Sequence, residues 1–399
     1  MWHQNYLDMS SAIVIGSIGS VSALGGDYST VLQSLLSSKP HFQIRDLNAV
    51  KFPIFHIQKD VEIELNELLR QHTKFKKIDR TVHLAILAAD KCLAGYPTEE
   101  NAEWVINAGS SRGATGVWEN FYKEFLMDQS IPVKSSPLTT LGNISTHVAQ
   151  HQKIKGFNID HSITCGSGLQ ALANAFAWLK SGLANHFLAI GTEAPLTDFT
   201  IGQMSVLGIY SQNEGEFPCI SCGINETKTN SFCLGEAAVS IALLTKQNPQ
   251  KGEIILAGMG TASEVITNPT SISPNGEAFI HGMEKALESA GIMANEIDIV
   301  IPHSPGTYHG DQAELNAIRT VFGNELPKVI NHKFLTGHTL GASGLLSVEL
   351  AYYFLTENLE FEFPYPSLYP QKQVESPKTI MINSMGFGGN SVSIILKKI

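Results

Sequence analysis

The sequence predicts an α/β protein made of two similar, intimately packed halves. Three observations point there. The chain opens with a strand, a Gly-rich turn and a helix. Short apolar runs then alternate with helical stretches. At 399 residues it also exceeds what one ordinary core accommodates.

Residues 12–18 (AIVIGSI) are apolar and rich in β-branched side chains, and read as a buried strand. Residues 19–26 supply turn formers, and residues 28–36 follow with helical periodicity. Further strands are expected at 104–108, 187–190, 237–244, 253–258, 297–302, 379–383 and 391–396. Helices are expected at 81–92, 168–180, 276–289 and 344–355. A faint two-fold rhyme runs through this order. In one half a strand leads to Cys165 at a helix start; in the other, Lys333 leads through GHTLGASG into a helix. The polar, Pro- and Gly-containing stretch 246–252 (KQNPQKG) divides them, giving residues 1–250 and 251–399.

A hydrophobic content of 43% against 16% charged residues is globular, not disordered. The net charge of −10 argues against nucleic acid as a partner of the whole protein, because phosphate backbones recruit Lys and Arg. No apolar run approaches the ~20 residues that cross a bilayer, so no membrane association is expected. The N-terminal MWHQNYLDMS lacks a secretory pattern, and Met9 is an alternative start. The five cysteines, an odd number in a large chain, fit a reducing, cytoplasmic setting. Cys219 and Cys222 form a lone C-x-x-C without a second pair, read as a loop with free thiols.

Four motifs carry chemistry. In Ser162-Ile-Thr-Cys165-Gly-Ser-Gly168, sulfur stands at a helix N-terminus, where unpaired N–H groups and the macrodipole favour thiolate. In Ile301-Pro-His303-Ser-Pro-Gly-Thr307-Tyr-His-Gly-Asp311-Gln-Ala-Glu314, a strand delivers His303 into a turn-rich loop, and two acids open a helix. Lys333-Phe-Leu-Thr-Gly337-His338 places a second histidine in a Gly-rich turn. Asn383-Ser-Met-Gly386-Phe387-Gly388-Gly389 sets one aromatic among glycines, as a gate over a pocket would be. Each also has a plain structural reading: an inert buried cysteine, surface histidines at 303 and 309, close-packing glycines, a core phenylalanine. A metal site at the histidines lacks further ligands at a suitable spacing.

Together, in identity, order and spacing, the four motifs resemble the 3-oxoacyl-carrier-protein synthases, the elongating ketosynthases of fatty-acid and polyketide systems. The likeness extends to IVIGSIGSVSALG, to LAIGTEAPLTDF with Glu193, and to FCLGEAAVSIAL. It therefore spans nearly the whole chain. The resemblance implies the thiolase-like fold, two similar α/β halves in alternating helix and sheet layers.

It also implies a reaction. Cys165 accepts an acyl chain from a carrier-protein thioester. The backbone N–H groups of Cys165 and Phe387 form the oxyanion hole, and Phe387 gates the two half-reactions. His303 and His338 bind the malonyl thioester carbonyl and stabilise the enolate that decarboxylation creates. Lys333 supports the histidines, with Asp311 and Glu314 behind it and Glu314 as its expected ion-pair partner. Thr307 contacts the phosphopantetheine arm, which arrives on the carrier protein; no bound cofactor or metal is implied. Lys74, Lys76, Lys77 and Arg80 resemble the family's basic patch for an acidic carrier protein.

Three positions depart from the pattern. Pro305 and Ser304 replace a threonine and a glycine of the HGTxT loop. Arg112 falls where many relatives carry an apolar residue lining the acyl pocket. Thr229-Asn-Ser-Phe232 replaces the usual Arg-Asp-Gly-Phe run. These point to a specialised substrate, an aryl or polyene acyl chain of pigment biosynthesis being the expectation. A thiolase shares the fold but uses a second cysteine in a C-terminal turn, where this chain reads NSMGFGG. A non-catalytic chain-length partner lacks the nucleophile that Cys165 provides. The active half of a ketosynthase/chain-length-factor heterodimer stays open beside the homodimer.

Overall fold

The computed structural model describes residues 11–96, 102–224, 226–266, 272–357 and 359–399; Met9 lies outside them. Among the described residues thirteen strands occur in chain order: β1 (Ala12–Val21), β2 (Gln43–Leu47), β3 (Val50–Phe55), β4 (Trp104–Gly109), β5 (Gly156–His161), β6 (His186–Glu193), β7 (Leu234–Gly235), β8 (Ala237–Lys246), β9 (Ile254–Ser263), β10 (Ile299–Ile301), β11 (Lys328–Val329), β12 (Thr379–Gly386) and β13 (Asn390–Lys398).

Ten of them form one sheet that reads as two five-strand runs, β1-β8-β6-β4-β5 and β9-β13-β12-β10-β11. The runs repeat one pattern. Each first strand pairs antiparallel with the second and the second with the third, and the remaining neighbours are parallel. They meet at Val14 opposite Ile255. Between β8 and β9 lies the stretch the sequence marks as the break.

Two helices, Ser167–Lys180 and Ser343–Thr356, pack on each other and reach strands of both runs. Helices Arg80–Leu93 and Glu277–Ala290 each cover the first two strands of their own run. Helix and sheet layers therefore alternate, as in the thiolase-like fold. One buried cluster draws Leu169 and Leu172 together with Leu345, Ile380 and Ile394, so the halves share a core. Capping is local: Asp27 accepts from Ser29 N and Thr30 N, and Asp79 from Thr81 N. No helix among the described residues is long and apolar enough to cross a membrane.

The hairpin β2–β3 and the short β7 make a separate three-stranded sheet. It turns through Asn48 and Ala49, both at positive φ. Phe52 and Ile54 of this hairpin join Ile201, Met204, Tyr210 and Phe232 in an apolar cluster around Cys165.

Candidate active site

Cys165, His303, His338 and Phe387 line one cavity of about 300 Å³. Cys165 follows β5 and stands just ahead of helix Ser167–Lys180; His338 follows β11 and stands ahead of helix Ser343–Thr356. The two-fold rhyme therefore places nucleophile and histidine at matching corners of the two halves. His303 comes from the loop after β10. Met204, Ile209, Phe232, Phe279 and Met385 supply apolar wall, while Asn230 and Thr307 supply polar edge.

Three non-glycine residues with positive φ flank the functional side chains: Thr164 (φ 57) before Cys165, Ser304 (φ 23) after His303, and Leu340 (φ 43) beyond His338. Left-handed backbone at a β-branched threonine costs of order 1–3 kcal/mol and persists only where packing enforces it. Such strain clusters where side-chain placement serves function.

The His303 and His338 rings lie 5.1 Å apart at 75°, and Phe232 meets His338 edge-on at 5.4 Å. His338 Nδ1 is buried without a hydrogen-bond partner. An orphaned buried nitrogen costs about 1–3 kcal/mol, which a ligand would recover. Burial holds both imidazoles well below the usual histidine pKa; His338 and Lys333 add to the effect at His303, and Lys333 adds to it at His338. Both rings are therefore neutral donors.

The Cys165 thiol differs from the sequence expectation. Burial, reinforced by the Glu193 carboxylate and opposed by Lys333, pushes it up to about 12. A helix N-terminus contributes at most about 2 kcal/mol, less than this shift represents. The resting nucleophile is a thiol.

Lys333 is buried at 1% exposure, and burial lowers its pKa against the pull of Cys222 and Glu314. The expected Lys333–Glu314 ion pair is not formed. Glu314 instead accepts from His303 N at 2.8 Å, Ser304 N at 2.7 Å, Ser304 Oγ at 3.2 Å and Asn383 Nδ2 at 3.3 Å. Its oxygens are spent on the loop that carries His303. Asp311 does the same further on, accepting from Gly306 N at 3.0 Å and Cys222 N at 2.9 Å.

Thr307 heads helix Tyr308–Phe322 without a side-chain capping bond, so its hydroxyl is left for the cavity it lines. Gly386 brings the Phe387 turn against the Cys165 loop: a Cβ there would lie 2.1 Å from Thr164 Oγ1 and 2.3 Å from Ile163 O. Thr164 Oγ1 donates to Phe387 O at 3.4 Å. Phe387 is 42% exposed over the cavity mouth.

Two further expectations need correction. Arg112 does not line the cavity. Its guanidinium turns to helix Asp198–Val206 and donates to Gln203 Oε1 at 2.6 Å, a neutral acceptor that spares an apolar pocket the charge. Arg80 does not belong to an open basic patch: it clamps buried Glu236 at 2.8 Å and Glu62 at 2.6 Å. Lys74, Lys76 and Lys77 are exposed, with Lys74 Nζ 4.8 Å over the Phe75 ring. The C-x-x-C thiols are free and buried, as are the other three cysteines. Sequence reasoning missed helix Asp198–Val206, whose Met204 lines the cavity, and the β2–β3 hairpin, whose Phe52 and Ile54 join the apolar cluster that includes Met204 and Cys165.

Residues 11–248 match the N-terminal domain of β-ketoacyl synthases, and residues 254–359 match the C-terminal domain. The chain belongs to the β-ketoacyl synthase family and is a condensing enzyme of the acyltransferase type. It is 28% identical to a 3-oxoacyl-[acyl-carrier-protein] synthase 2 of Coxiella burnetii, over 97% of this chain and 98% of that one. A Staphylococcus aureus protein of the same name is 26% identical, over 98% and 99%. Among solved structures, a β-ketoacyl synthase from Burkholderia phymatum superposes with a TM-score of 0.81 at 22% identity, covering 98% of this chain and 100% of that one. A Xenorhabdus doucetiae ketosynthase in complex with its chain length factor gives 0.79 at 22%, covering 100% of both.

Proposed function

We propose that this chain is a 3-oxoacyl-[acyl-carrier-protein] synthase with Cys165 as its acyl-accepting nucleophile. The observation that carries the reading is the meeting of Cys165 with two neutral, buried imidazoles in one cavity. An acyl thioester on a carrier protein transfers its acyl group to Cys165 Sγ; the thiol proton leaves with the phosphopantetheine thiol. The N–H groups of Cys165 and Phe387 hold the oxyanion. His303 and His338 donate to the malonyl thioester oxygen while CO2 departs. The resulting carbanion attacks the acyl-Cys165 carbonyl; the C–Sγ bond breaks, a 3-oxoacyl thioester is released, and the departing Cys165 thiolate takes up a proton from solvent to restore the thiol. Lys333 orients the pair, Asp311 and Glu314 hold the His303 loop, and Thr307 meets the phosphopantetheine arm. The chemistry is driven by loss of CO2 and asks for no metal or bound cofactor.

A second reading concerns the partner: the active half of a heterodimer with a related, chain-length-setting subunit rather than a homodimer. β5 is the outermost strand of its run, and Phe157 on it is exposed, as are Trp118, Tyr122 and Phe125 of helix Thr115–Asp128. A free sheet edge and exposed large apolar side chains suit a second subunit. Solved neighbours titled as ketosynthase with chain length factor support the heterodimer. A polyketide chain is a second substrate class beside a fatty-acyl chain, supported by a solved neighbour titled as a type II polyketide synthase ketosynthase bound to the hexaketide. The free cysteines support a cytoplasmic setting.

Intact mass after incubation with acyl-carrier protein tests the reaction. An acyl adduct on the wild type, absent from Cys165→Ala and discharged by malonyl-carrier protein, is the expected result. A folded protein with no adduct from acetyl to aryl-polyenoyl chains overturns it.

A further inference from the structure

We propose that Glu193 is the positioning residue that locks the His338 loop onto the Cys165 half of the site. The proposal rests on the condensing reaction above and adds a residue that the reaction scheme leaves unused. Glu193 ends β6 and is fully buried. Its Oε2 accepts from Ser111 N at 2.7 Å and from Gly341 N at 3.0 Å. Its Oε1 accepts from Ser110 Oγ and from Arg112 N, both at 3.1 Å. Ser110, Ser111 and Arg112 belong to the loop after β4 in the first half, whereas Gly341 lies in the second half, just beyond His338. One carboxylate at the end of β6 therefore ties two further segments together, one from each half.

The junction has no slack. A Cβ on Gly341 would lie 2.6 Å from Ser111 N and 2.8 Å from Glu193 Oε2. The carbonyl of the same Gly341 packs on the Cys165 helix, where a Cβ on Gly168 would lie 2.5 Å away. One residue thus touches the carboxylate through its N–H and the nucleophile's helix through its C=O. All four groups aimed at Glu193 are donors, two to each oxygen. A glutamine presents an NH2 to one pair of them in either orientation, leaving buried donors opposed. The charge also acts on the nucleophile, since Glu193 opposes ionisation of Cys165.

The test compares Glu193→Gln and Glu193→Asp with the wild type. Three readouts are used: hydrogen exchange of residues 337–344, the pH profile of Cys165 alkylation by iodoacetamide, and condensation with malonyl-carrier protein. In E193Q the loop exchanges faster and condensation falls about 100-fold in kcat, the scale of a misplaced catalytic group. Burial raises the Glu193 carboxyl to about 7, so its charge is complete only above that pH, and there alkylation of E193Q becomes faster because the opposing charge is gone. A general loss of structure would also speed alkylation, by lifting the burial that holds the thiol up, but it would speed exchange throughout the chain and not in residues 337–344 alone. E193D keeps the charge and recovers the thiol profile. Wild-type exchange together with unchanged condensation in folded E193Q overturns the proposal. Should E193Q fail to fold, unchanged loop exchange in E193D overturns it, and faster exchange supports it. A wild type that never condenses sinks the reaction reading alone, since exchange and alkylation still judge Glu193.

Discussion

His303 and His338 face each other with ring centroids 5.1 Å apart, although they arrive on separate loops after β10 and β11. Two neutral N–H donors converging on one thioester oxygen stabilise an enolate where its charge develops. Replacing either histidine by alanine should lower malonyl decarboxylation by about 10²–10³-fold. Acyl loading of Cys165, read by intact mass, should persist. Both rings titrate below the ordinary 6.5, because burial, with Lys333 nearby, disfavours the cation. Above that value they are already neutral, so decarboxylation should not fall as pH rises further. It should fall only as pH drops through the depressed pKa. Loss of rate on raising the pH above 6.5, abolished by H303A, would count against neutral donors.

The Cys165 thiol gives a second prediction. With the thiol held up at about 12, alkylation of Cys165 should keep accelerating between about pH 7 and 9 rather than level off, since only thiolate reacts. The Cys165→Ala variant sets the background from the other four buried cysteines. A plateau already at neutral pH would mean that the helix N-terminus outweighs burial and Glu193.

Arg80 and Glu236 form the third case. Burial raises the Glu236 carboxyl, but His56 and Arg80 outweigh it and hold the group down at about 2. At 1% side-chain exposure the carboxylate has little water to fall back on. Arg80→Ala should therefore cost roughly 3–5 kcal/mol, measured by denaturant unfolding. The sign with pH follows from a depressed acid. The pair's contribution is complete above the ordinary 4.5 and disappears as pH falls through about 2. Acid unfolding of R80A should accordingly begin at higher pH than that of the wild type.

How much of this was legible follows from what local sequence encodes. β1, β4, β6, β8, β9, β12 and β13 carry buried apolar runs, and all seven lie where hydrophobic patterning puts them. β5 (GFNIDH) carries too little apolar signal to announce itself, because it is an edge strand. The residues lining the cavity were legible as motifs because glycine and small residues must surround them. Their partners were not: whether Glu314 meets Lys333 or the His303 backbone depends on atoms brought together from distant segments. Arg80 shows the same limit, since its position beside three lysines says nothing of Glu236, 156 residues away. Glu193 was visible as a strand-end acid, but not as an acceptor for Gly341, 148 residues on.

The loss of Arg80 from the basic patch sharpens the last prediction. Lys76 and Lys77 remain exposed, on a chain of net charge −10, beside Lys74 on its phenylalanine. An acidic carrier protein approaching such a surface is repelled by the whole and attracted by the patch, so the patch decides orientation. Lys76→Glu with Lys77→Glu should raise KM for carrier-borne substrate roughly tenfold or more while leaving kcat unchanged. The gap should narrow as salt is added, because exposed charges are screened within about 10 Å at 0.1 M. A short thioester mimic without the carrier should be processed equally by both forms, which separates docking from damage to the cavity. An unchanged KM for the carrier-borne substrate would move the docking surface elsewhere on the protein.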